Sequence, residues 1–174
     1  MMKTKILPFI LLFSIVTFSQ FKDTNGQWVF GGNLGIGGGS NGGFGINISP
    51  EVGFRFNNGF EIGAKVGYNY NKNDFFKSNF GNVGPYINYT ILQSVFLRAQ
   101  YEYLFGTVSN ETIGGQTFDD KISENALWLG GGYQNNISQN IRYNIGLMYN
   151  VLYDEETSVY PTGLYPIAGV SFGF

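Results

Sequence analysis

Between Phe44 and Phe56 the sequence reads FGINISPEVGFRF, and large apolar side chains recur at every second position: Phe44, Ile46, Ile48, Val52, Phe54 and Phe56, with Pro50 in the same row. The positions between hold Gly45, Asn47, Ser49, Glu51, Gly53 and Arg55. Successive side chains of an extended strand point to opposite faces, so this alternation gives one apolar face and one small, polar or charged face. A helix, at about 3.6 residues per turn, would spread the same residues around its circumference.

The alternation recurs along the chain. Phe60, Ile62, Ala64, Val66, Tyr68 and Tyr70 stand opposite Glu61, Gly63, Lys65, Gly67 and Asn69. Val95, Leu97, Ala99, Tyr101, Tyr103 and Phe105 stand opposite a face with Arg98, Gln100 and Glu102, and Ile141 to Tyr153 repeats the scheme against Arg142, Asn144, Gly146 and Asn150. The pattern predicts strands over 27–36, 44–56, 60–70, 80–91, 95–106, 124–134, 141–153 and 163–174. In 124–134 Trp128 competes with Leu127 and Leu129 for the apolar face, which leaves that strand's orientation open.

The connections alternate in length. Those at 57–59, 92–94 and 135–140 are short, and those at 37–43, 71–79, 107–123 and 154–162 are longer. An even number of antiparallel strands, tightly turned at one end and loosely looped at the other, predicts an all-β, eight-stranded, up-and-down transmembrane barrel.

A soluble barrel would turn the apolar face inward and a membrane barrel outward, and volume separates them. An eight-stranded barrel is only just wide enough inside for side chains to fill, and several dozen Phe, Tyr, Ile, Leu and Val residues cannot share that space. A face of Gly, Asn and a few charges can. Charged residues form 13% of the chain, about half the usual ~25%, which leaves little to build a water-facing exterior. Tyr68, Tyr70, Tyr101, Tyr103, Tyr149 and Tyr153 fall toward the long-loop ends of their strands, and Trp28, Phe54, Phe56, Phe60, Phe172 and Phe174 toward the short-turn end, as two interfacial girdles.

The opening MMKTKILPFILLFSIVTFSQ places Lys3 and Lys5 before an apolar run from Ile6 to Phe18, with Thr17 and Ser19 spaced as at a cleavage site. That run is shorter than the roughly 20 residues a membrane-spanning helix needs. Residues 1–19 are therefore expected to be a signal peptide, 20–26 a short N-terminal segment and 27–174 the barrel, exported to the outer membrane.

The final strand carries Leu164, Pro166, Ala168, Val170, Phe172 and Phe174 on one row, which must lie against lipid while the strand closes on the first, so that no backbone edge is left unpaired there. Alternating apolar residues ending in Phe resemble the assembly signal of outer-membrane barrels, and the chain as a whole resembles the small eight-stranded type, the OmpX-like proteins and the OmpA membrane domain. The resemblance implies a monomer in outer-membrane lipid whose last strand is recognised by the barrel assembly machinery.

On the small face, Glu51, Arg55, Glu61, Lys65, Arg98, Glu102 and Arg142 would meet inside the barrel. Unpaired charges are costly in so narrow a space, so these residues are expected to form an ionic network that plugs the lumen. Asp119, Asp120, Glu124, Asp154, Glu155 and Glu156 fall in or beside the loops 107–123 and 154–162, a possible surface for an extracellular partner. The segment around Gly114 and Gly115 reads as two short β-runs that would project beyond the bilayer and recruit a partner by strand addition.

Other chemistry is poorly supported. Gly37, Gly39 and Gly42 match the spacing of a dinucleotide-binding loop, but a strand follows them and not the helix N-terminus that would hold phosphate. The acidic loops match no calcium-loop spacing. The chain has no Cys, hence no disulfide framework and no thiolate metal site, and no His, which removes the commonest general base and metal ligand, and the barrel enzymes of this membrane typically use a catalytic His, as the resemblance implies. No enzymatic activity and no cofactor are expected, and an acidic exported chain is a poor partner for nucleic acid. The expected function is membrane integrity or surface binding through the long loops, with a narrow transport pore for small solutes as the alternative.

Overall fold

The computed structural model describes residues 26–39, 43–73, 76–111, 117–160 and 162–173. They form eight strands: β1 (Gly26–Gly39), β2 (Gly43–Phe56), β3 (Phe60–Lys72), β4 (Phe76–Ile91), β5 (Val95–Glu111), β6 (Thr117–Asn136), β7 (Ile141–Asn150) and β8 (Leu164–Gly173). Each pairs antiparallel with its neighbours in sequence, and β8 returns to β1 to close a barrel.

The apolar face is outside. Ile62, Leu97, Ile145 and Leu147 are all about half exposed or more, whereas Glu61, Arg98, Gln100 and Glu102, their neighbours in sequence or on adjacent strands, are buried. A belt of exposed aliphatic side chains around a closed barrel is the surface a bilayer requires.

Trp128 points inward at 4% exposure while Leu129 stands outside at 44%. The inward face of β6 has room for an indole because Gly130 and Gly132 occupy the next positions on the same side, and Trp128 packs edge-on against Tyr160, with ring centres 5.0 Å apart.

Several expected boundaries move. The ladder between β5 and β6 continues to Glu111 and Thr117, so most of the expected loop 107–123 is strand. Likewise β3 and β4 pair as far as Lys72 and Lys77, which shortens the connection expected over 71–79. Gly37 and Gly39 belong to β1, and Gly42 lies outside the described residues.

β7 stops at Asn150 and not at Tyr153. Asn150 is fully buried, and its side-chain carbonyl accepts the N–H groups of Leu127 and Leu152, each at 3.1 Å. That diverts the β6 ladder and starts a turn, in which Tyr153 N–H reaches the Asn150 carbonyl at 3.1 Å. Tyr153 therefore leaves the predicted lipid-facing row. The segment 1–25, the tip 112–116 and Phe174 lie outside the described residues.

Candidate functional site

Strand parity sends the even positions of β5 and the odd positions of β2 and β3 into the lumen, and register decides which of their charges meet. Glu51 on β2 is level with Lys65 on β3, yet each pairs elsewhere. Arg98 forks onto Glu51, with Nη1 to Oε2 at 3.0 Å and Nη2 to Oε1 at 2.7 Å. Lys65 crosses to Glu102 at 2.6 Å. Gln100 joins the two pairs: its Oε1 accepts from Arg98 Nη2 at 2.7 Å, and its Nε2 donates to Glu102 Oε2 at 3.0 Å.

A second cluster lies nearer the short turns. Arg55 pairs with Glu61 at 2.6 Å, and the other Glu61 oxygen accepts from the Tyr86 hydroxyl at 3.1 Å and Asn88 Nδ2 at 3.0 Å. Tyr86 also lies under the Arg98 guanidinium, 4.2 Å from its ring centre, which links the clusters through a cation–π contact.

Six of the seven charges expected in the lumen are thus drawn into three ion pairs. Arg142 is not. It makes no ion pair among the described residues and donates to Asn136 Oδ1 at 3.1 Å, at the short-turn mouth. Arg55 and Arg142 border two cavities at once: one of about 850 Å³ running toward the long loops, and one of about 340 Å³ at the short-turn mouth.

The long-loop half of the lumen is different. Asn47 Nδ2 donates to Asn69 Oδ1 on the β2–β3 side, while Ala126, Trp128 and Met148 form an apolar cluster on the other, with Tyr160 and Ile167 packed against it. Sequence reasoning missed this cluster. Trp128 and Met148 look like any exterior apolar residue until orientation is known, and Tyr160 comes from the connection between β7 and β8. It is held there because its hydroxyl donates to Glu102 Oε1 at 2.6 Å. Burial, reinforced by the Glu102 carboxylate, pushes the Tyr160 pKa above its ordinary value.

The acidic residues expected at the loops do not form one surface. Asp119 and Asp120 are exposed on β6. Glu124 turns inward and holds the β7–β8 connection, accepting from Ser158 Oγ at 2.7 Å and Val159 N at 2.8 Å. Asp154 closes a turn by accepting the Glu156 N–H at 2.8 Å, and Glu155 and Glu156 remain exposed. No group of three carboxylates converges on a metal-sized site among the described residues. Along β8, Leu164, Pro166, Ala168, Val170 and Phe172 all face outward.

Solved structures share this architecture. The N-terminal β-barrel domain of Pseudomonas aeruginosa OprF is 9% identical over 86% of this chain and 98% of its own, with a TM-score of 0.51. Ail, the attachment invasion locus protein of Yersinia pestis, matches in complex with the heparin analogue sucrose octasulfate at 13% identity, 87% of this chain, 100% of its own and a TM-score of 0.53. The same protein in a phospholipid bilayer nanodisc matches at 16% identity, 86% of this chain, 99% of its own and a TM-score of 0.51. No protein-family model and no curated relative matches the sequence. The likeness is one of fold, that of the outer-membrane barrels.

Proposed function

We propose that this chain, whose fold is that of the eight-stranded outer-membrane barrels, is a monomeric, non-enzymatic surface-contact protein whose lumen is closed to ion flow by its ion pairs. The observation that carries the proposal is the unequal height of β6 and β7. A membrane-crossing strand needs about 9 to 11 residues, and β6 has 20. Its ladder with β7 ends at the pair Trp128–Asn150, while its ladder with β5 continues to Thr117. Beyond Leu127, β6 is therefore paired on one side only among the described residues.

The free side has a defined chemistry. Gln134 N–H bonds the Ser94 carbonyl on the β5 side, and Leu127 accepts the Val151 N–H on the β7 side. Even positions of β6 thus serve β5, and Asp119, Lys121, Ser123 and Asn125 direct their backbone groups to the open edge. An extended peptide can add there as a further strand. Asp119 and Asp120 favour a basic peptide and disfavour a sulfated ligand of the kind bound to Ail. Outer-membrane lipid surrounds the belt, and the row from Leu164 to Phe174 is the segment handed to the barrel assembly machinery.

Ser123→Pro removes an edge donor without touching the β5 ladder. Extended basic peptides should bind the purified barrel in nanodiscs and be lost on Ser123→Pro, while the barrel still migrates as folded on unheated gels. Equal binding by the variant would overturn the edge. Steady single-channel openings in planar bilayers would favour the narrow pore instead.

A further inference from the structure

The barrel is joined unevenly. Among the described residues β1 and β8 pair only from Val29–Gly173 to Gly32–Val170, although β1 continues to Gly39 and β8 begins at Leu164. The strands part at Gly32, whose φ of +150° is one that glycine favours, and where a Cβ would fall 2.4 Å from the Ser49 carbonyl oxygen. On the other lip stands Pro166. Asn150 N–H bonds the Gly163 carbonyl and Gly173 N–H the Asn140 carbonyl, so odd positions of β8 serve β7 and even positions face β1. Proline at 166 therefore removes a backbone donor on the side turned toward β1.

Unpaired backbone at membrane depth is tolerated where it lines a cavity, and here it does. The cavity of about 850 Å³ is bordered by lumenal residues and also by Leu34, Pro166 and Ala168, which belong to the exterior row. Its volume lies within the ~300–1,000 Å³ of small-molecule sites. The wall behind the gap is the Trp128, Met148 and Ile167 cluster, in a lumen that elsewhere mixes amides and charges with the buried side chains of Val29, Phe96 and Leu104. The ion pairs Arg98–Glu51 and Lys65–Glu102 border the same cavity toward the short turns.

We propose that the gap between β1 and β8 is a lateral entrance through which one acyl chain of a membrane amphiphile passes from the bilayer into the lumen. The chain lies against Trp128, Met148 and Ile167, and its polar head remains among the amides of Asn33, Asn47 and Asn69. An aliphatic chain suits this route because it can move from lipid to an apolar wall between two apolar lips without desolvating a charge. The inference rests on the membrane placement of the barrel and is independent of the β6 edge.

The chain has no Cys and two Trp, which makes the test direct. In a Trp28→Phe background Trp128 is the sole indole, and Leu34→Cys with Ala168→Cys, the next outward positions in register beyond Gly32–Val170, allow the gap to be closed by a disulfide or a short bis-maleimide. The protein is refolded into phosphatidylcholine vesicles and titrated with a brominated fatty acid; a second arm uses vesicles of brominated phosphatidylcholine alone. Saturable quenching of Trp128 that disappears on closure, and for the disulfide returns on reduction, is expected. Quenching in the first arm identifies a single-chain amphiphile, and quenching in the second a chain of a bilayer lipid. A folded, inserted barrel with no quenching in either arm, or with quenching indifferent to closure, overturns the entrance alone. A barrel that does not insert into vesicles overturns the membrane placement beneath it.

Discussion

The Tyr160 hydroxyl donates to Glu102 at 2.6 Å, tying the connection between β7 and β8 to the middle of β5. Glu102 also holds Lys65 and Gln100, so one carboxylate fastens a loop to the lumen. Hydrogen bonds to charged groups contribute roughly 1.5–3 kcal/mol. Tyr160→Phe should lower the unfolding free energy measured by urea titration by an amount in that range, while Tyr68→Phe, which loses an exposed bond to Asn79, should change it little. The gap between wild type and Tyr160→Phe should hold below the ordinary tyrosine pKa of about 10. Above it the unfolded chain ionises while folded Tyr160, its pKa raised, does not, so the advantage of the hydroxyl fades as pH rises.

Arg98→Ala leaves the largely enclosed Glu51 without its fork and takes a donor from Gln100. Removing one partner of a buried pair typically costs about 3–5 kcal/mol. Lys77, exposed on β4 and level with Lys72, should tolerate Ala within ~0.5 kcal/mol. Equal unfolding midpoints for the two variants would show that the lumenal network contributes nothing to stability.

Depth in the bilayer is measurable along the exterior row. Leu147 sits midway along β7 at 53% exposure, and Leu147→Arg should destabilise by roughly 2–4 kcal/mol in a lipid refolding titration. Phe60→Arg, beside a short turn, should cost about 0–1 kcal/mol. Similar losses at both sites would contradict this placement of the membrane.

The turn between β4 and β5 places Leu92 at φ 51° and Gln93 at φ 66°. Neither side chain suits the left-handed region, which Asn and Gly occupy readily in such turns. Gln93→Gly should raise stability by up to about 1 kcal/mol, read as a higher unfolding midpoint with an unchanged slope.

The strands were legible in the sequence because lipid and a narrow lumen impose opposite demands on alternate positions: Leu97 beside Arg98 and Ile62 beside Glu61 can be sorted without knowing any neighbour. Register was not legible. Glu51 is level with Lys65 across β2 and β3, and only the folded barrel shows that each reaches a β5 residue instead. Trp128 escaped assignment for a related reason, since an indole suits either face and the vacancy created by Gly130 and Gly132 appears only when β6 is set in place. The end of β7 depends on Asn150, whose side chain competes with the backbone for Leu127, a contest alternation cannot register.

The join at β1 and β8 has a consequence in time. These are the strands farthest apart in the chain, so their pairing closes the largest loop and carries the greatest entropic penalty, yet among the described residues it has only four rungs. Closure should come last in folding and fail first in unfolding. Amide exchange at Phe30 and Gly32, whose backbone groups face β8, would then run ahead of exchange along β5, where the ladder with β6 is unbroken from Val95 to Glu111, and the lifetime of the whole cylinder would be governed by its shortest join.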